Sequence, residues 1–185
     1  MENQTLALIA SFIAMAFVVM AYFVKKKAYY LLCELLCIVF LVISYFFTVQ
    51  FFAMIGLAVG LFRTITFFVY ENKDQQAPIA WAFLFSGLTV ASYFIVNYGI
   101  LKTAQPLDVL CVLSLVMYAF IFRIRNLKIV RFTMLIPTIL SILFNVLTSA
   151  ALFTTLTYVF EFFANVVTIF KYHILGEKQN RDKGN

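Results

Sequence analysis

A chain of 185 residues that is 64% hydrophobic, 18% aromatic and only 12% charged departs far from the composition of a soluble globular domain and is that of an integral membrane protein. A formal charge of +6 would point to nucleic acid in a soluble chain. Here the Lys and Arg residues cluster in short loops between apolar runs, which makes them topology signals and contacts for anionic lipid, with no nucleic-acid partner.

Hydrocarbon about 30 Å thick takes roughly 20 apolar residues of helix, and seven such windows follow one another: residues 5–24, 29–48, 51–70, 79–97, 107–124, 129–148 and 151–171. The first has no basic residues ahead of its apolar run and carries Lys25, Lys26 and Lys27 behind it, so it is a retained helix and not a cleavable leader. The run from Tyr29 to Tyr70 is too long for one span, and the "TVQ" at 48–50 breaks it, with Thr48 and Gln50 facing headgroups across a tight turn. With the N-terminus outside, the cytoplasmic segments hold Lys25, Lys26, Lys27, Lys73, Arg123, Arg125, Lys128, Arg131, Lys171, Lys178, Arg181 and Lys183, twelve of the fourteen basic residues. Only Lys102 falls outside, and Arg63 lies within a helix. The positive-inside rule therefore places the C-terminal tail, 172–185, in the cytoplasm.

Polar residues inside these windows are costly, and an ionisable one marks a functional position facing the bundle interior. Glu34 stands in the second window. The third carries Gly56, Gly60 and Arg63, where the glycines either make room for a cavity or serve close helix packing. Arg63 either snorkels to the headgroups or reaches inward, with Glu34 or Glu161 as its ion-pair partner. Asp108 follows "QP" at the start of the fifth helix, where an acid complements the helix dipole. On the sixth, Pro137, Ser141, Asn145 and Thr148 share one face, and Pro137 is a hinge or a packing feature. On the seventh, Glu161, Asn165, Thr168 and Tyr172 share another, with Glu161 ten residues from either end of its window and so near the midplane.

Cys33, Cys37 and Cys111 all fall inside helices, where apolar burial keeps a thiol inert, so neither a disulfide framework nor a metal site is indicated. The single histidine, His173, sits just past the last helix as a surface residue. No glycine-rich phosphate loop, ligand cluster or nucleophile with a nearby His base is present in the sequence, so neither enzymatic chemistry nor a cofactor is expected.

Sliding the chain against itself gives a weak internal repeat. At a shift of 105, Gly60 meets Asn165, Phe67 meets Tyr172 and "ENK" falls on "GEK"; at a shift of 100, Tyr45 meets Asn145 and Thr48 meets Thr148. The Glu161 stripe then overlies Gly56, Gly60, Arg63 and Phe67, so one half offers carboxylate and amide where the other offers two glycines and a guanidinium. Two halves running in the same sense need one inverting helix between them. The expected fold is an all-α membrane domain over 1–185, with a three-helix bundle at 5–70, a linker helix at 79–97 and a second bundle at 107–171.

The "QPLDVL" opening the fifth helix, the basic pattern from Arg125 to Arg131, Asn145 near the end of the sixth helix and "NVVTIFKY" closing the seventh resemble the YgjV family of bacterial inner-membrane proteins over nearly the whole chain. Gly60 and Arg63 fit the same resemblance. Two departures are Phe144, where a polar or His residue is expected, and the lack of an Arg near Lys171. The family in turn resembles SWEET and PQ-loop proteins, which implies the three, one, three plan of parallel repeats. KDEL receptors resemble that plan too, so the architecture alone does not imply transport.

The polar stripes of the third, sixth and seventh helices predict a secondary transporter or facilitator of a small polar solute, its cavity lined by Glu34, Arg63, Ser141, Asn145, Glu161, Asn165 and Thr168, which bind the solute or a proton. The alternative is a receptor or subunit that uses these residues to hold helices together.

Overall fold

The computed structural model describes residues 2–48, 51–100, 102, 105–148 and 152–171. These contain seven helices and no strand: α1 (Glu2–Phe23), α2 (Lys27–Thr48), α3 (Phe51–Asn72), α4 (Ile79–Tyr93), α5 (Asp108–Ile121), α6 (Leu127–Leu147) and α7 (Leu152–Ile169). α4 runs on without a break into a π-helical segment, Phe94–Ile100. The seven helices occupy the seven predicted windows to within a few residues. Gln50, Tyr172, His173 and the tail residues Lys178, Arg181 and Lys183 lie outside the described residues.

Five of the helices are long and apolar enough to cross a bilayer: α1, α2, α3, α6, and α4 together with its π-helical extension. α5 and the described part of α7 are shorter apolar helices. Their packing is inverted relative to a soluble protein. Phe62, Phe83 and Phe163 point outward, each about 60% exposed, while Glu34, Arg63, Asp108, Arg131, Glu161 and Asn165 are buried. Only a hydrocarbon surrounding makes that arrangement favourable, since in water it would expose contiguous apolar surface and bury polar groups for no gain.

Local chemistry sets the helix ends. Asn126 accepts the Lys128 N–H at 2.9 Å and caps α6. After α3 the chain turns through Asp74 at φ 54°, with the Gln75 N–H closing onto the Tyr70 carbonyl at 3.0 Å, the longer bond of a Schellman-type stop. Asp108, in the first turn of α5, accepts from the Gln105 N–H and from Asn97 Nδ2, each at 2.9 Å. Besides complementing the dipole, it ties the π-helical end of α4 to the start of α5.

The helices close into a ring. α1 packs on α2 and α7, α2 on α3, α5 on α6, α6 on α7, and α4 sits between α3 and α5. α2 packs on both α1 and α3 and α6 on both α5 and α7, and serine pairs stitch α1 to α2 and α5 to α6: Ser11 Oγ to Ser44 Oγ at 2.7 Å and Ser114 Oγ to Ser141 Oγ at 2.7 Å. One serine of each pair also donates to a carbonyl across the same helix pair, Ser44 to Ala7 and Ser114 to Pro137, both at 3.0 Å.

The α1–α2, α3–α4 and α5–α6 connections lie at one end of the ring. Lys27 pairs with Glu71 at 2.9 Å, Arg125 pairs with Asp74, and Arg123 Nε donates to the Ala77 carbonyl at 3.0 Å. Arg131 reaches from α6 to the Tyr22 and Val24 carbonyls at 2.8 and 2.6 Å, capping the C-terminal end of α1.

Candidate functional site: a polar cavity inside the ring

Glu161 projects from α7 into the ring and is 3% exposed. Its Oε1 accepts the Tyr22 hydroxyl from α1 at 2.8 Å and the Thr138 hydroxyl from α6 at 3.1 Å. Tyr22 is held edge-on against Tyr30 of α2, ring centroids 5.7 Å apart, so its hydroxyl direction is fixed by packing. Thr138 bridges to the Met134 carbonyl of its own helix at 2.8 Å, immediately after Pro137.

Arg63 lies on α3, 4% exposed. Its Nη1 donates to the Leu115 carbonyl of α5 at 2.9 Å, and its guanidinium carbon lies 5.5 Å from the Tyr118 ring centroid and 5.1 Å from that of Phe122. This corrects the expected ion pair. Arg63 pairs with neither Glu34 nor Glu161, because a backbone carbonyl and two ring faces on the neighbouring helix meet the planar fork first. It does not snorkel. Gly60, one turn earlier, leaves the guanidinium room: a Cβ there would stand 3.4 Å from Arg63 Nη2.

Glu34, Arg63 and Glu161 line one cavity of about 40 Å³, together with Cys37, Tyr118 and Tyr158, larger than the roughly 10–15 Å³ a water requires. Two atoms of these side chains, Glu34 Oε1 and Arg63 Nε, are buried with no hydrogen-bond partner. A second cavity of about 40 Å³ lies nearer the N-terminal end of α3 and is lined by Gly56, Ser141, Asn145, Tyr45, Cys111 and Phe144. Leu57, Leu115 and Tyr158 contribute to both cavities and form the wall between them.

The predicted residues thus divide. Glu34, Arg63 and Glu161 come together in the inner cavity; Ser141, Asn145 and Gly56 line the other. Asn165 and Thr168 are fully buried but line neither of the two. Asn165 Nδ2 donates to the Arg131 carbonyl at 2.8 Å, and Thr168 Oγ1 to the Ala164 carbonyl of its own helix at 2.7 Å. Thr148 likewise bonds within its helix, to the Phe144 carbonyl at 2.7 Å. Pro137 is buried, and its carbonyl takes the Ser114 hydroxyl.

Sequence reasoning missed Tyr22, Tyr118, Tyr158 and Thr138. Thr138 was recoverable, since it precedes Ser141 and Asn145 by three and seven positions on the same helical face. Tyr22 stands three residues before the Lys25 cluster and so reads as an interfacial aromatic.

Apolar helices closed around charged and hydroxyl-bearing side chains define a multi-pass membrane protein. The chain belongs to the Imp-YgjV family of bacterial inner membrane proteins, whose family model matches residues 5–175. No curated protein and no solved structure matches it.

Proposed function

We propose that this inner membrane protein is a secondary transporter or facilitator of a small polar solute, working by relative movement of two three-helix bundles, 5–70 and 107–171, joined by the linker helix at 79–97. The observation that carries it is the inner cavity, where α2, α3 and α7, from both bundles, bring Glu34, Arg63 and Glu161 to one space. Intramembrane ionisable groups turned toward a cavity between repeats are what a solute pathway requires. The shared packing order and the two serine pairs support a 3+1+3 parallel repeat. The clustering of Lys27, Arg123 and Arg125 at one end supports a cytoplasmic placement of that end, with the N-terminus outside.

A receptor or subunit without transport is the second reading. It is favoured by Arg63 and Asn165, whose hydrogen bonds to the Leu115 and Arg131 carbonyls join helices directly. Flux into proteoliposomes with a panel of sugars, nucleosides and organic acids separates the two. Protein-dependent, saturable uptake of any of them supports transport, and a tight vesicle with no uptake across the panel supports the receptor.

A further inference from the structure

The inner cavity brings two carboxyl groups, Glu34 and Glu161, to the same space as one guanidinium, Arg63. Arg63 donates through Nη1 to the Leu115 carbonyl and lies against the Tyr118 and Phe122 rings, and its Nε has no partner. Glu161 already accepts two hydroxyl hydrogen bonds. Of the two carboxyls, Glu34 is the one left open: it is 6% exposed, lines the cavity, and its Oε1 has no partner. With both carboxyls ionised the site would hold one more negative than positive charge, and buried charge is tolerated only when paired and hydrogen-bonded.

We infer that the inner cavity binds one exchangeable monovalent cation between the Glu34 and Glu161 carboxyls, either a proton on one of them or a small ion such as Na⁺ or NH₄⁺. The cavity, about 40 Å³, accommodates a species of water size and excludes a bulky organic cation in this conformation. Oxygen-bearing side chains line the space: Glu34, whose Oε1 has no partner, and the tyrosines Tyr118 and Tyr158. The titratable and charged groups facing the pair are Tyr22 from α1, Tyr30 and Cys37 from α2, Arg63 from α3, Tyr118 from α5 and Tyr158 from α7. α6 contributes the neutral Thr138. Among the described residues, Arg63 is therefore the one basic group in that shell.

This inference deepens the transport reading, because the cation would be the species coupled to the solute, yet it is measured by binding and not by flux, so either can fail alone. The experiment uses the full-length protein in lipid vesicles at neutral pH and has two arms. Infrared spectra seek the C=O stretch of a protonated carboxylic acid, removed in Glu34→Gln or Glu161→Gln. Thermal unfolding is followed in NaCl, KCl and NH₄Cl, with choline chloride holding ionic strength constant, and seeks a saturable stabilisation by one ion that Glu34→Gln abolishes. A carboxylic-acid band assigns the proton; an ion-specific saturable shift assigns that ion. Wild-type protein with neither the band nor an ion-specific shift overturns the inference, and that result does not depend on any variant folding.

Discussion

Gly60 and Arg63 stand one turn apart on α3, and the guanidinium lies over the glycine, where a Cβ would be 3.4 Å from Arg63 Nη2. The glycine is thereby matched to its own helix's arginine as well as to helix packing. That distance is ordinary van der Waals contact, so a methyl fits. Gly60→Ala is expected to be neutral or to stabilise by up to about 1 kcal/mol, the difference in helix propensity. Gly60→Leu occupies the guanidinium's place and breaks the bond to the Leu115 carbonyl, costing about 2 kcal/mol. Unfolding in mixed micelles measures both, and a Leu variant as stable as the Ala variant contradicts the placement of Arg63.

The Tyr22–Glu161 hydrogen bond joins the adjacent helices α1 and α7 where the ring closes, and hence the two proposed bundles. Tyr22→Phe removes the donor without changing the ring packing on Tyr30. A double-mutant cycle of Tyr22→Phe with Glu161→Leu, which removes the acceptor, is expected to show coupling of about 1 kcal/mol, the scale of interhelical hydrogen bonds in membranes. Additive effects within error would mean that the two groups do not interact.

How far the sequence carries can be judged from Glu161 and Arg63. Hydropathy and loop charge locate the helices because membrane spans are selected by one property, length of apolar run, that is local in sequence. The Glu161 stripe was legible for the same reason: Glu161, Asn165 and Thr168 recur at helical spacing, and all three are buried. Arg63's partner was not. A guanidinium chooses among every carbonyl, ring and carboxylate within reach, and whether α5 or α2 offers the nearest acceptor depends on helix rotation, which hydropathy does not encode. The division of Asn145 and Glu161 between two cavities depends likewise on Leu57, Leu115 and Tyr158, residues indistinguishable in sequence from lipid-facing neighbours.

Orientation can be read from two exposed positions. Gln76 lies in the α3–α4 connection and Lys102 between α4 and α5, both exposed, and the proposed topology puts Gln76 inside and Lys102 outside. In a cysteine-free background, Lys102→Cys should react with an impermeant thiol reagent in intact cells and Gln76→Cys only after permeabilisation. The opposite pattern would invert the protein in the membrane.

Glu161→Gln distinguishes a carboxylate that acts on solute or proton from one that holds helices. The amide keeps the shape and still accepts from Tyr22 and Thr138, so insertion and abundance should remain near wild type. Under the transport reading, flux is abolished or uncoupled. Under the receptor reading Gln is tolerated, whereas Glu161→Leu leaves the buried Tyr22 hydroxyl without its acceptor and costs roughly 1 to 2 kcal/mol. Full flux from a well-expressed Glu161→Gln variant would remove the carboxylate from the mechanism.

Two native cysteines report on the wall between the cavities. Cys37 lines the inner cavity and Cys111 the other, with Leu57, Leu115 and Tyr158 between them. If the bundles rock about this wall, each thiol should be reachable from one side of the membrane: Cys111 from outside, through the cavity nearer the start of α3, and Cys37 from the cytoplasm. Single-cysteine variants retaining only Cys37 or only Cys111 test this with a small charged methanethiosulfonate applied to right-side-out or inside-out vesicles. Gly56 supplies the control, because a Cβ there would stand 3.2 Å from Leu115 Cδ1, tighter than ordinary contact. Gly56→Ala therefore presses on the wall and should change the labelling rate of both thiols severalfold while leaving their sidedness intact. Equal labelling of Cys37 and Cys111 from both faces would mean an open pore, and no labelling of either from any face, in protein that labels fully once denatured, would mean cavities sealed on both sides.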